Sequence, residues 1–240
     1  MQIVQYNDIH IQSPIVFMGI PDVGLVGSIA VSYIIDKMQM QEIGYIESDR
    51  LPPILLVREG RVKNPIRIYS TNYSVAIIAD TPLPPNLLAD FSSSVSRWLK
   101  SINTRLVVNV TGLPVQNRMS IDRPQVLYVL TDRDAVDMKG TNAIALSDGI
   151  IIGVYASITK SCMNDDIPVL TLLAQSHSSF PDPFASIEAL SVINKALSMN
   201  IDLSELMHEA ELIRIRTREL MKQTESMLTE SRLKGPTFYG

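Results

Sequence analysis

A single cysteine, Cys162, stands among the 240 residues. It can close no intrachain disulfide and provides no thiolate set for a structural zinc, so the core must hold without staples, and a reducing cytoplasm suits such a chain. A basic surplus is missing too: 21 Lys+Arg face 25 Asp+Glu, the formal net charge is -4, and charged residues are only 19% of the whole. Nucleic-acid binders concentrate lysine and arginine where phosphates lie, and no such concentration is visible. Long apolar runs are also lacking. The longest, Gly149 to Ile158 and Ile167 to Ala174, fall well short of the ~20 residues a membrane-spanning helix needs. The opening stretch, Met1-Gln2-Ile3-Val4-Gln5-Tyr6-Asn7-Asp8, has neither the basic start nor the apolar core of a secretory signal. The expectation is therefore a cytoplasmic protein with neither nucleic acid nor membrane as partner. What the chain does hold is apolar material, 46% of its residues, enough for a substantial core.

That material comes in short runs: Ile15 to Met18, Val75 to Ala79, Leu106 to Val110, Val126 to Leu130 and Val169 to Leu173. Strands covered by helices on both faces read this way. Helix-length segments lie between or after them, roughly Leu25 to Met38, Asn86 to Ser101, Gly149 to Met163 and Ala185 to Met199. The alternation predicts a three-layer α/β domain over residues 1–200 with a mostly parallel sheet. Ile43 to Glu47, Ile54 to Arg58 and Ile66 to Ser70 break it, with turn residues and no helix between them, and predict an antiparallel excursion.

Beyond Asn200 the composition changes. Leu203 to Ser231 holds no Gly or Pro, and Leu206, Ile213, Leu220 and Met227 recur every seven residues. This predicts a helical segment over 201–232, whose 29 residues from Leu203 would span about 43 Å at 1.5 Å per residue. It either packs across its own domain or pairs, through those four residues, with the same helix of another subunit. Gly235-Pro236 ends it, leaving an extended tail over 233–240 that carries Phe238 and Tyr239.

Three places invite a chemical reading. Gly19-Ile20-Pro21-Asp22-Val23-Gly24-Leu25-Val26-Gly27 sits where a strand passes into a helix, the usual phosphate site of α/β proteins. Yet Leu25-Val26 stand where a phosphate loop needs Lys and Ser/Thr, and Asp22 adds negative charge, so a tight turn with close helix-sheet packing explains the glycines better. His177, flanked by serines in a loop after a buried strand, is the best catalytic suspect among three scattered histidines, with loop fixing as its plainer role. Asp22, Asp80 and Asp182 each follow a strand-like segment and could share one rim. No Asp/Glu/His set has metal-ligand spacing.

The tail is more specific. Phe238 can bury a ring, Tyr239 a ring and a hydroxyl, and the Gly240 carboxylate can pair with a lysine. Hydrophobic-Tyr-X at a free C-terminus resembles the motif that docks into pockets between neighbouring α subunits of the proteasome core particle. Gly19-x-Pro21-Asp22-x-Gly24-x-x-Gly27, Leu51-Pro52-Pro53, Asp80-Thr81-Pro82, Thr111-Gly112-Leu113-Pro114, Asp148-Gly149-Ile150 and Phe180-Pro181-Asp182-Pro183-x-Ala185, in that order, resemble the family of proteasome assembly chaperones, type two. The likeness looks closest to its archaeal members.

The resemblance implies a phosphorylase-like α/β domain and a homo-oligomer, with a tetramer plausible. It implies a protein without catalytic residues, metal or cofactor that binds proteasome α subunits and assists assembly or opens the particle without ATP. The competing expectation is a nucleoside-phosphorylase-like or hydrolytic enzyme using the Gly19–Gly27 rim with Asp80, Thr111 and His177. That reading needs a compact, partly apolar pocket there, and a filled rim counts against it.

Overall fold

The computed structural model describes residues 1–6, 11–58 and 60–212. In chain order the described strands are β1 (Gln2–Gln5), β2 (Ile15–Gly19), β3 (Gln41–Glu47), β4 (Leu56–Arg58), β5 (Arg61–Lys63), β6 (Ile66–Ser70), β7 (Ser74–Ala79), β8 (Leu106–Pro114), β9 (Val126–Leu130), β10 (Ile144–Ala145) and β11 (Val169–Ser176). The helices are α1 (Val26–Lys37), α2 (Leu88–Ser101), α3 (Gly153–Asn164) and α4 (Pro183–Ala196). The chain divides into a compact unit, Met1–Leu203, and a second, Ser204–Gly240, of which residues 204–212 are helical.

Nine strands form one sheet in the order β1-β3-β6-β7-β2-β8-β11-β9-β10. Its centre, β7-β2-β8-β11, is parallel, and every residue of β2 and β7 is buried. Helices cover both faces of this centre. Val16 and Met18 point to one side, where they join a core with Phe91, Val95 and Leu99 of α2 and Ile158 and Cys162 of α3. Phe17, between them, points to the other side, where α1 packs with α4. The 91/95/99 spacing of α2 is what a helix with one apolar stripe requires.

The sheet is mixed, with four parallel and four antiparallel pairings. β3 and β6 form the expected antiparallel excursion. β9 also runs against β11, because the connection from β8, residues 115–125, holds only the short turn Arg118–Ser120 and no crossover helix carries the chain back. Ile54 and Leu55 lie outside β4, which leaves the main sheet altogether and pairs with β5 as a two-stranded ribbon. The helix expected from Gly149 begins four residues later, at Gly153, so Asp148-Gly149-Ile150 does not start it. Ile150-Ile151-Ile152 are β-branched and lose side-chain freedom in a helix. Ile152 is extended, at φ -123° and ψ 170°, and Gly153 turns the chain at φ 78°.

Candidate functional site: the rim at the strand ends

Because β7, β2, β8 and β11 run parallel, their C-terminal ends meet one rim, the position at which open α/β sheets hold ligands. The glycine loop occupies it. Gly24 (φ 61°) and Leu25 (φ 50°) are both left-handed before α1 starts at Val26, a conformation that costs a leucine about 1–2 kcal/mol. A Cβ on Gly27 would collide with the Val110 carbonyl oxygen and lie 2.6 Å from the Tyr155 hydroxyl. One on Gly112 would collide with the Val23 carbonyl. Gly27 and Gly112 therefore let the head of α1 and the loop approach the β8 backbone closely, and Gly27 also admits the Tyr155 hydroxyl of α3.

Hydrogen bonds then lock the loop. The Ile20 N–H donates to the Tyr155 hydroxyl at 3.0 Å, and that hydroxyl donates to the Ile20 carbonyl at 2.8 Å. Burial pushes the Tyr155 hydroxyl far above the ordinary tyrosine value; its bond with Ile20 works against this and the Asp22 charge adds to it. Thr111 Oγ1 donates to Asp22 Oδ2 at 2.7 Å.

Asp182 is the hub of the rest. Its carboxylate accepts from Arg118 Nε at 2.7 Å and Nη2 at 2.9 Å, from the His177 N–H at 3.1 Å and from the Ala185 N–H at 3.1 Å. The last bond caps α4, with Pro183 at the first helical position. The Asp182 N–H donates to the Gly24 carbonyl at 2.8 Å. One buried aspartate thus joins the glycine loop, the β8–β9 connection and the start of α4.

Of the residues expected at a rim, Asp22, Thr111, His177 and Asp182 are brought together there. Asp80, at the end of β7, is held instead by Arg67 Nη1 at 2.6 Å and Arg58 Nη2 at 2.5 Å. His177 contributes its backbone N–H to the network, and its ring meets Phe180 edge-on at 6.4 Å between centroids. Asp22 and Asp182 accept hydrogen bonds from neighbouring elements, so these two rim carboxylates act as struts between the loop, β8 and α4. Among the described residues no group of three or more His, Cys, Asp or Glu could hold a metal ion. Leu206 lies in the helical stretch 204–212, while Ile213, Leu220, Met227, Phe238, Tyr239 and Gly240 fall outside the described residues. Arg118 and Tyr155 are the members that sequence reasoning missed, since a lone arginine in a loop and a tyrosine on an apolar helix carry no local signal.

A family model, that of the PAC2 family, matches residues 16–221. This chain belongs to the PAC2 family. The PAC2 chain is 26% identical over 240 residues to the uncharacterized protein MJ0106 of Methanocaldococcus jannaschii, covering 99% of this chain and 98% of that one. Its fold matches the crystal structure of Pyrococcus furiosus PbaA, described as an archaeal homolog of proteasome-assembly chaperone, with a TM-score of 0.83 and 27% identity over 100% of this chain and 99% of that one. It also matches Pyrococcus furiosus PbaB, described as an archaeal proteasome activator, with a TM-score of 0.78 and 21% identity over 93% and 98% of the two chains.

A polar cavity of about 440 Å³ in this PAC2 protein lies at the opposite end of the strands from the rim, between Gln39–Ile43 and Ser70–Asn72 beside Tyr6. Carboxamides and hydroxyls line it, together with Glu42, whose charge is already paired with Lys63 at 2.7 Å. Among the described residues no helix is long and apolar enough to cross a membrane.

Proposed function

We propose that this PAC2 protein is a proteasome-binding chaperone or ATP-independent activator whose C-terminal tails dock between α subunits of the core particle. The observation that carries the reading is the Phe238-Tyr239-Gly240 end on a chain that matches PbaA along its whole length. Phe238 and Tyr239 fill an inter-subunit cleft, and the Gly240 carboxylate pairs with a lysine there. The rim carboxylates, engaged as struts between elements, support a body that acts as a scaffold. An enzyme of phosphorylase or hydrolase type would keep that rim open. The protein works as a homo-oligomer, a tetramer being one such assembly, in which Leu206, Ile213, Leu220 and Met227 pair helices of neighbouring copies and set the spacing of the tails.

The test is capture of proteasome core particle by full-length protein and by a chain ending at Thr237. The full chain should retain the particle and the shortened chain should lose it while unfolding at the same temperature. Undiminished capture by the shortened chain overturns the reading.

A further inference from the structure

The polar cavity beside Tyr6 has no part in the tail reading, and its lining selects a ligand by chemistry. Ser70, the last residue of β6, borders it and is 6% exposed. Its hydroxyl has no hydrogen-bond partner among the described residues, so an occupant of the cavity would restore the bond that folding leaves unmade. The neighbouring groups are also incompletely engaged. Thr71 Oγ1 accepts from the Tyr73 N–H at 3.3 Å and the Ser74 N–H at 3.1 Å, which leaves its O–H to donate. Gln39, left-handed at φ 51° between α1 and β3, donates its Nε2 to the Asp36 carbonyl at 2.8 Å, which leaves its Oε1 to accept. The carboxamides of Gln41 and Asn72, also in the lining, have no partner among the described residues. Thr71 and Gln39 are thus fixed before a ligand arrives, which lowers the ordering cost of binding.

This lining excludes most ligand classes. Among the described residues no lysine or arginine borders the cavity, so nothing there pairs with an anion. Its one carboxylate, Glu42, accepts from Tyr6 at 2.8 Å through Oε1 and from Lys63 at 2.7 Å through Oε2, so a cation would meet a charge already held. An apolar ligand would cover the Ser70, Thr71, Gln41 and Asn72 groups without replacing their bonds to water, at a cost for each. What remains is a neutral ligand that donates and accepts at neighbouring atoms. Vicinal hydroxyls on a ring do this, because each is one donor and two acceptor lone pairs. The C–H groups between them can cover the Tyr6 ring, which borders the cavity on a residue 49% exposed. The volume of about 440 Å³ lies within the range of about 300–1,000 Å³ typical of small-molecule clefts.

We propose that this cavity binds a neutral ring carrying vicinal hydroxyls, a sugar or a cyclic polyol, through Ser70, Thr71, Gln41 and Asn72. The site stands at the end of the strands opposite the rim and uses no residue of the tail. It therefore goes beyond the proteasome reading and gives the body a ligand of its own.

Saturation-transfer NMR on the full-length protein tests it, with methyl α-D-glucopyranoside as the sugar ring and myo-inositol as the cyclic polyol. At least one should show saturable transfer with a Kd on the order of 1 mM, as suits a ligand of about a dozen non-hydrogen atoms, and the probe that binds more tightly identifies the source. Ser70→Ala removes a hydroxyl that holds nothing else in place, and Asn72→Ala removes an exposed carboxamide. Each should weaken binding about 3–10-fold, the loss of one hydrogen bond, while the unfolding temperature stays where it is. Absence of transfer to both probes at about ten times that concentration overturns the proposal. Binding that both variants retain at full strength overturns it too, as does transfer to acetate equal to that of the probes.

Discussion

Arg118 and Asp182 are 6% and 2% exposed, and they meet through two parallel N–H···O bonds at 2.7 and 2.9 Å. A buried pair like this is weak evidence of net stabilisation, since desolvation of both ions offsets their attraction, but removing one partner strands the other. Arg118→Met should therefore lower unfolding free energy by about 3–5 kcal/mol, read from urea titrations. A loss below about 1 kcal/mol would mean that the His177 and Ala185 amides alone satisfy the carboxylate. Asp182 was legible as a rim residue because it follows a strand-like segment, but its capping of α4 was not read from the sequence. Arg118 was not. Its partner lies 64 positions away, and only the fold reveals that the two meet.

At the scale of elements, the excursion between α1 and β7 holds one polar cluster together. Glu42 of β3 accepts from Tyr6, just after β1, at 2.8 Å and from Lys63 of the ribbon at 2.7 Å. Burial alone would raise the Glu42 pKa. The hydrogen bonds from Lys63 and Tyr6 and the charges of Lys63 and Arg67 more than offset that and hold it below 4.5. For a carboxylate lowered on folding, the stabilisation is complete above the unfolded value and vanishes as pH falls through the folded one. Glu42→Gln should thus cost about 1.5 kcal/mol near neutrality, the low end for a charged hydrogen bond because Lys63 is 37% exposed. The gap between variant and wild type should close as the pH drops below 4.5. A gap constant with pH would assign the loss to packing. The buried runs were readable because both faces of a central strand are apolar. The edges were not: β1 alternates weakly, β10 has two residues, and the ribbon leaves Val57 and Val62 exposed, against the pattern of apolar strand residues facing a core.

The scale of the whole molecule decides how three residues at a chain end could hold a particle. A tail of Phe238, Tyr239 and Gly240 buries little surface and loses most of its gain to ordering, so a single tail binds weakly. In the proposed homo-oligomer several tails are presented at once, and each tail after the first then binds at an effective concentration set by the assembly, with no new contact. The same contacts that would build the assembly should therefore control affinity. Ile213→Asp with Leu220→Asp places charge in the seam through which neighbouring copies are proposed to pair and leaves every tail intact. On immobilised core particle this variant should bind about 10²–10⁴-fold more weakly than wild type, approaching the affinity of a free peptide of residues 233–240. An affinity equal to that of wild type, with copies separated, would show that one tail suffices and that the body has no part in spacing the others.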